Sequence, residues 1–358
     1  MAATRVGVQK GAVKKRASRA GSEPPAQAQG LDFEAISSEW IRALRGKRSQ
    51  ASFSRRLGYA SSVVHRWESG AAWPTAARFL EACERSGKNL AAAYATFFWR
   101  APSWLRAHAP SSPEAVAALL RQLRGKTKNN VLAEASGYSR YSIARWMKGE
   151  AEPRLPEFLR LIEATSRRAL DFIATLQDPA SLPSAEEKWT RLARMRQAAY
   201  EESWSHAVLR ALELDEYADV GDGNAWLASV LGIGAAQLEP ALAALERSGQ
   251  IARIGTKWAP LSSAAVTTGG DPTTRGLLTR AWMHVADERI QKGAPGHFGY
   301  SLFAASRADL RRLRELHMAY VREMQSIIAR SSPNECVGLL CLQLLDLSAR
   351  DDNALASD

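Results

Sequence analysis

The chain has 358 residues, 46% of them hydrophobic, and a formal net charge of +11 at pH 7. This length exceeds one ordinary domain core, so we expect two or three domains. The sequence contains no apolar run of membrane-spanning length and no secretory hydrophobic segment near its start, which favours a cytoplasmic protein without membrane contact. Three cysteines, Cys83, Cys336 and Cys341, lack the number and spacing of a disulfide scaffold or a zinc site, so we expect buried, reduced thiols.

The excess positive charge is confined to the first half of the chain. Residues 1–184 hold 29 Lys and Arg against 15 Asp and Glu, a net charge of +14, whereas residues 185–358 hold 19 against 22, a net charge of −3. Such an asymmetry indicates that one half meets a polyanion. Nucleic acid is the polyanion that best suits a helical module, and an anionic membrane surface is the weaker alternative.

Residues 1–30 are predicted to be a disordered basic arm, because Ala, Gly, Ser and Pro dominate and cannot form a core. Arms of this kind add phosphate contacts or reach into a minor groove. A solvated tail and an organelle transit peptide are the alternatives. The basic residues of the arm are Arg5, Lys10, Lys14, Lys15, Arg16 and Arg19, against the single acidic residue Glu23.

The same pattern of residues occurs twice, 79 positions apart and without a gap. An internal repeat defines the unit of architecture, which is here a small helical module present in two copies. The matching segments are Leu44–Lys47 with Leu123–Lys126, Gly58 and Tyr59 with Gly137 and Tyr138, Arg66 and Trp67 with Arg145 and Trp146, Gly70 with Gly149, Pro74 with Pro153, and Phe79 and Leu80 with Phe158 and Leu159.

Each module is predicted to consist of short helices joined by tight turns. The first module covers residues 31–108 and the second covers residues 112–180, with a loop of Ala, Pro and Ser over 101–113 between them. The helices predicted for the first module lie at about 36–44, 50–57 and 61–68, with a turn at Gly58, a stop at Gly70, and a further helix after Pro74 that carries Phe79, Leu80 and Cys83 on one face.

The third of these helices has the composition of a helix that enters the DNA major groove. Such a helix needs small or polar residues at its exposed N-terminal end and apolar residues behind them for packing. Val64 and Trp67 are predicted to pack in the first module, because their spacing favours core positions over base stacking. Ile143 and Trp146 take those places in the second module, where Ser139 is predicted to cap the helix.

This pattern resembles the large phage-repressor-like family of helix-turn-helix domains, whose string runs from a Gln through a Gly turn to Ile-x-x-Trp-Glu-x-Gly and a Pro. In this sequence those places are held by Gln50, Gly58, Val64, Trp67, Glu68, Gly70 and Pro74. The second copy has Asn129 where Gln is usual and Met147 where Glu is usual, which leaves weaker binding or a packing role open for that copy.

The resemblance implies that Gln50 and Asn129 hold phosphates and that the start of each third helix faces the bases. The base-facing residues so implied are Ser61, Ser62, His65 and Arg66 in the first copy, and Arg140, Tyr141, Ala144 and Arg145 in the second, where the helix is also predicted to present Ser142 for DNA binding.

Arg66 and Arg145 are the strongest candidates for reading a base, because a guanidinium bonds guanine O6 and N7 together, which is worth about 1–3 kcal/mol of discrimination. Pairing with a nearby carboxylate or with a phosphate is the alternative. Other basic residues would supply sequence-independent phosphate contacts or are solvated surface charges. They are Lys47, Arg48, Arg55, Arg56, Lys126 and Lys128.

Residues 185–350 are predicted to form a C-terminal domain after a short linker at 181–184. It begins with a helix over about 186–214. A winged-helix-like segment follows at 221–262, and an α+β region at 273–350 completes the domain. The predicted elements are helices at 225–231 and 237–248, a two-stranded wing at 251–258, long helices at 274–292 and 307–330, and strands at 297–305 and 335–348, the last one buried.

This half resembles one bacterial domain of uncharacterised function that follows helix-turn-helix segments in presumed transcriptional regulators. The matching stretches are 225–231 with 241–248, Ala281–His284 and Val337–Ser348. Because the sequence has no metal-spaced His pair, phosphate loop or nucleophile elbow, we expect no enzyme activity, no metal and no cofactor. Dimerisation, or sensing of a protein or small-molecule signal, is expected instead, and a degenerate, protein-packing winged helix is favoured over a DNA-binding one.

The sequence thus predicts a mainly α protein, with tandem helix-turn-helix modules followed by an α+β domain that contains a winged-helix-like segment. The predicted function is a sequence-specific, nucleoid-associated transcriptional regulator of the repressor type, whose partner is double-stranded DNA. A non-specific nucleoid-coating protein and a protein-interaction adaptor are the alternatives.

Overall fold

The computed structural model describes residues 30–261, 272–328 and 331–348. Within these residues the fold is mainly α, with sixteen α-helices and one two-stranded sheet. From Asp32 onward the described residues form one compact unit. The predicted basic arm lies outside the described residues except for Gly30.

The first repeat folds as five helices, and capping side chains fix the starts of four of them. Asp32, Ser49, Thr75 and Asn89 each accept a hydrogen bond from the backbone N–H three residues ahead, which satisfies a donor that the helix itself leaves open. The helices are α1 (Phe33–Arg45), α2 (Gln50–Arg56), α3 (Val63–Glu68), α4 (Ala76–Arg85) and α5 (Leu90–Phe98).

The second repeat folds as the same series of five helices. Gly137 and Gly149 lie in the left-handed region, at φ 75° and 77°, and close two of them. Ser139 caps the third helix as predicted, accepting from the N–H of Ser142 at 3.1 Å. The helices are α6 (Pro113–Arg124), α7 (Asn129–Ser136), α8 (Arg140–Lys148), α9 (Leu155–Ser166) and α10 (Ala169–Ala174).

The helices predicted for the first repeat are present, but two of them begin elsewhere: α1 begins at Phe33 rather than at about 36. The third helix begins at Val63 rather than at Ser61, so that Ser61 and Ser62 precede its first turn. The residues predicted to pack do so: the side chains of Val64 and Ile143 are 0% exposed, and those of Trp67 and Trp146 are 5% and 8% exposed. The face predicted on α4 is also buried, and it consists of Phe79, Leu80 and Cys83.

The core of the two repeats is built around Phe172 of α10, which is fully buried. Its ring centroid lies 5.4 Å from that of Phe97, 5.5 Å from Phe158, 6.4 Å from Tyr94 and 6.5 Å from Trp40. The Tyr94 ring is stacked on Phe172 and the other three meet it edge to face, and aromatic pairs in either arrangement add to the free energy of burial. One aromatic side chain therefore joins helices from both repeats into one core.

The C-terminal half begins with two helices, α11 (Pro183–Glu201) and α12 (Trp204–Ala211), where the sequence predicted one. The break lies at Glu202, whose backbone is extended. The remaining elements are α13 (Gly223–Leu231), α14 (Ala235–Arg247), the antiparallel strands β1 (Ile251–Ile254) and β2 (Lys257–Pro260), and the long helices α15 (Pro272–Gln291) and α16 (Arg307–Ile328).

The predicted strands at 297–305 and 335–348 are wrong, because neither segment has regular secondary structure among the described residues. Both segments are largely exposed, with Tyr300 at 93% and Leu345 at 71%. Alternating apolar residues favour a strand only where another strand supplies backbone partners, and the described part of the chain brings none alongside. The α+β expectation for 273–350 fails for this reason.

Burial of the thiols was predicted for all three cysteines and holds only for Cys83. Cys336 is exposed and Cys341 is half-buried, because both lie in the second irregular segment.

Among the described residues, none of the helices is by itself both long and apolar enough to cross a membrane. The pair α13 and α14 reaches such a length only when taken together, and it is bent by 115°.

Candidate nucleic-acid interface

Helix α3 is held against α2 by its inner face. The rings of Tyr59 and Trp67 meet edge to face with centroids 5.6 Å apart. The backbone N–H of Val64 donates to the hydroxyl oxygen of Ser54 at 3.3 Å, and both residues are buried. Since the inner face is fixed in this way, the orientation of the outer face is fixed too.

The outer face of α3 carries the residues that the sequence resemblance assigns to base contact. Ser61 and Ser62, just before the helix, and His65 and Arg66, on it, are all exposed. The guanidinium of Arg66 has no hydrogen bond or ion pair with any described residue. The carboxylate pairing considered for this arginine is therefore not found in the described part of the chain.

Helix α8 repeats this arrangement with different outer residues. The rings of Tyr138 and Trp146 meet edge to face at 5.3 Å, and burial raises the pKa of Tyr138, which keeps the phenol neutral. Outside, Arg140, Tyr141 and Arg145 are exposed, whereas Ser142 is half-buried.

Two of the exposed residues of α8 are joined to each other and the third is not. Arg140 Nη2 donates to the hydroxyl of Tyr141 at 3.0 Å, and its guanidinium carbon lies 4.9 Å from the ring centroid. The guanidinium of Arg145, like that of Arg66, has no partner among the described residues. The equivalent arginines of the two repeats are thus both open to a ligand.

The predicted phosphate-holding residues, Gln50 and Asn129, stand at equivalent places but are engaged differently. Gln50 Nε2 donates to Glu68 Oε2 at 2.6 Å, which uses one of the two N–H groups of its amide. Asn129 instead accepts, through Oδ1, from Arg124 Nη1 at 3.2 Å. The amide donors of Asn129 therefore have no partner among the described residues, whereas Gln50 is partly committed to Glu68.

The basic residues predicted to meet phosphates fall into two groups. Arg56 donates through Nε and Nη2 to the carbonyl oxygen of Arg85, and Lys126 pairs with Glu323 of α16. Arg48 makes one long contact, from Nη1 to the carbonyl oxygen of Arg45 at 3.3 Å. The others are exposed without a side-chain partner in the described residues, and they are Lys47, Arg55 and Lys128.

One basic residue near α3 was not predicted. Arg154, at the start of α9, donates through Nη1 to the carbonyl oxygen of Trp73 at 2.8 Å. Together with Arg66, it lines an open concavity beside the 70–73 loop. The position of Arg154 follows from how the two repeats pack, and no local motif in the sequence marks it.

The predicted wing is tied to the helices around it rather than free. Trp258 on β2 donates its indole N–H to Asn224 Oδ1 at 3.0 Å and its backbone N–H to the hydroxyl of Tyr217 at 3.1 Å. Lys257 Nζ donates to the carbonyl oxygen of Ala218 at 2.7 Å. The two-stranded hairpin predicted at 251–258 is confirmed. Of its two basic residues, Arg253 and Lys257, the lysine is hydrogen-bonded within the protein.

Comparison with known proteins reaches only the C-terminal half. Residues 184–347 match the family model described as Domain of unknown function (DUF4423). No curated protein and no solved structure matches the chain. The match covers nearly the same residues as the uncharacterised domain that the sequence resembles, and its description carries no function.

Proposed function

We propose that the chain binds double-stranded DNA sequence-specifically through α3 and α8, as the recognition helices of two helix-turn-helix modules, and regulates transcription. The observation that carries this proposal is the pair Arg66 and Arg145. They occupy equivalent places on equivalent helices, both are exposed, and neither guanidinium has a partner among the described residues. An arginine so presented suits the guanine edge in the major groove.

The buried inner faces of both helices support the same function. A recognition helix has to hold its outer side chains in a fixed relation to the bases. Trp67 and Trp146 anchor α3 and α8 from inside, each against the tyrosine of its own repeat. The +14 net charge of residues 1–184 adds a general attraction to the phosphate backbone.

The differing outer residues favour a specific reader over a coating protein. Coating proteins rely on phosphate contacts, which Lys47, Arg55 and Lys128 would supply without reference to sequence. Tyr141 and Arg140 are instead fixed to each other by the contact described above. Such a pair offers one defined surface to the bases, which suits recognition of sequence.

Binding of the full-length Arg66→Ala and Arg145→Ala variants to a selected duplex tests this function. Each variant is expected to lose about tenfold or more in affinity, because one bidentate contact is worth about 1–3 kcal/mol. Arg311→Ala is the matched control, since it removes the same charge from the exposed surface of α16, outside the repeats.

A change within about twofold for both variants would contradict specific reading by these arginines. If both variants lose affinity equally for selected and random duplexes, the chain is a coating protein. Absence of DNA binding by the wild-type chain leaves the interaction-adaptor function.

The C-terminal half is proposed to bring two copies of the chain together. Its irregular segments at 297–306 and 331–346 expose large apolar side chains, among them Tyr300 at 93% and Leu302 at 78%. A second copy carries the same two segments and would supply the strand partners that the described part of one chain lacks. Light scattering is expected to give a dimer that Leu302→Lys weakens, and a monomeric wild type would contradict this role.

A further inference from the structure

The two repeats contact each other reciprocally. The backbone N–H of Ala76 donates to the carbonyl oxygen of Pro153 at 2.8 Å, and that of Leu155 donates to Pro74 at 3.0 Å. In the 79-residue register of the repeat, Pro153 is the counterpart of Pro74 and Leu155 is the counterpart of Ala76. Exchanging the two repeats therefore converts each of these hydrogen bonds into the other.

The residue that lies between the hydrogen-bonded positions in each repeat pairs with its own counterpart. Thr75 and Arg154 are equivalent in the repeat, and they form an antiparallel β-bridge with each other. A residue that faces its own counterpart lies at a local twofold axis, because only the points on that axis stay in place when the repeats are exchanged.

Helix packing follows the same rule. Helix α1 packs on α9 and its counterpart α6 packs on α4, so this pair of contacts is reciprocal. Helices α4 and α9 are counterparts and touch each other, as do α5 and α10. A head-to-tail arrangement of the repeats would give one contact of each reciprocal pair without the other. The repeats thus form a dimer-like unit with approximate twofold symmetry inside one chain.

We propose that the DNA ligand of this chain is an inverted repeat of two unlike half-sites, both read by one chain. This inference rests on the proposed function, because it assigns the orientation and number of sites that α3 and α8 read. A twofold axis that relates α3 to α8 gives the two helices opposite polarity along the duplex, as in symmetric helix-turn-helix dimers. The half-sites they read are therefore inverted, and not tandem.

The half-sites differ because the outer residues differ. Ser61 and Ser62 of the first repeat correspond to Arg140 and Tyr141 of the second, and His65 corresponds to Ala144. Arg66 and Arg145 are the shared pair. The ligand is therefore expected to carry a guanine at two symmetric positions and unlike bases elsewhere in its halves.

The test uses the full-length chain and duplexes built from a site that it enriches from a randomised pool. One duplex keeps the enriched site, and a second reverses one half-site, which turns the inverted repeat into a direct one. The direct repeat is expected to bind more than about tenfold less tightly, since reversal introduces several mismatched base pairs. Light scattering of the complex, measured with duplex in excess, is expected to count equal numbers of chains and duplexes, so that a dimer formed through the C-terminal half carries two duplexes.

The two arginine variants add a position-resolved readout. Selection with Arg66→Ala is expected to weaken the preference for guanine in one half-site only. Selection with Arg145→Ala is expected to weaken it in the other half-site. Equal affinity for the direct repeat, or two chains on each duplex when duplex is in excess, would overturn the inverted, one-chain site while leaving DNA reading intact. Failure to enrich any sequence would contradict the proposed function itself, and the inference with it.

Discussion

Arg45 donates to the carboxylate of Glu68 through Nε at 2.6 Å and through Nη2 at 3.3 Å. The second repeat has Arg124 in place of Arg45 and Met147 in place of Glu68, so no carboxylate stands there. Arg124 Nε is consequently buried without a hydrogen-bond partner in the described residues. The two repeats share a fold, but the buried Glu68 carboxylate behind α3 is hydrogen-bonded whereas Arg124 Nε behind α8 has no partner in the described part of the chain.

Glu68→Met tests what this ion pair contributes. The substitution leaves Arg45 and Gln50 without their acceptor in a largely buried place, so we expect the free energy of unfolding to fall by about 2–4 kcal/mol. Urea unfolding of the full chain measures it. Met147→Glu is the reverse exchange, and it is expected to cost less because Arg124 offers the new carboxylate a donor. A loss below about 0.5 kcal/mol for Glu68→Met would contradict the assigned role.

Ala76→Pro tests the contact between the repeats. Proline suits the first residue of a helix, and the extended backbone of Thr75, at ψ 157°, accepts a following proline. The substitution therefore removes the N–H that donates to Pro153 and leaves α4 able to form. We expect a loss of about 1–3 kcal/mol in stability and weaker binding to the inverted site.

Ala77→Pro is the matched control for that variant, because the counterpart of Ala77 in the second repeat is already Pro156. It adds a proline to the same turn without removing the hydrogen bond between the repeats. Equal effects of the two substitutions on DNA affinity would show that the contact between the repeats does not position α3 and α8.

Stability is expected to fall in mild acid because of His206 on α12. Burial, with the positive charge of Arg210 as a second cause, lowers the pKa of His206 from 6.5 to about 4, and its Nε2 has no partner in the described residues. Below pH 6.5 His206 is protonated in the unfolded chain but stays neutral in the folded chain. The free energy of unfolding therefore falls as the pH is lowered from 6.5 to about 4.

Between pH 7 and pH 5 the expected loss from this group is about 2 kcal/mol. Urea midpoints of the wild-type chain and of His206→Leu, measured at pH 7 and pH 5, separate this group from other titrating residues. The variant is expected to have the flatter dependence on pH, and parallel dependences would exclude His206 as the cause.

Phe172→Ala is expected to destabilise the chain by about 3–5 kcal/mol, because it opens a cavity among four aromatic side chains drawn from both repeats. Phe172→Leu keeps most of the volume and is expected to cost less. Differential scanning calorimetry of both variants checks the order. Equal costs would indicate that the site relaxes around the smaller side chain.

Local features could be predicted from the sequence because local chemistry determines them. The first three helices of the first repeat, predicted at about 36–44, 50–57 and 61–68, lie within three residues of α1, α2 and α3 at both ends. The break at Glu202 was missed because no Gly or Pro marks it. The strands expected at 297–305 and 335–348 were wrong because a strand depends on a neighbour that the segment itself does not encode.

In the candidate site, too, features set by the local sequence could be predicted and features set by contacts between distant segments could not. Exposure of Arg66 and Arg145 followed from the helical period of their own segments. The engagement of Gln50 by Glu68, the pairing of Lys126 with Glu323, and the place of Arg154 beside α3 depend on contacts between distant segments. The sequence identified which residues face outward in the repeats, and the packing determined which of them stay available.

Sequencing of the duplexes that the full-length chain retains from a randomised pool, at near-physiological salt, tests the central claim most directly. We expect an enriched motif with two inverted, unlike halves that each contain a guanine. Retention without any enriched motif would contradict sequence-specific reading by α3 and α8, and failure to retain DNA would contradict DNA binding altogether.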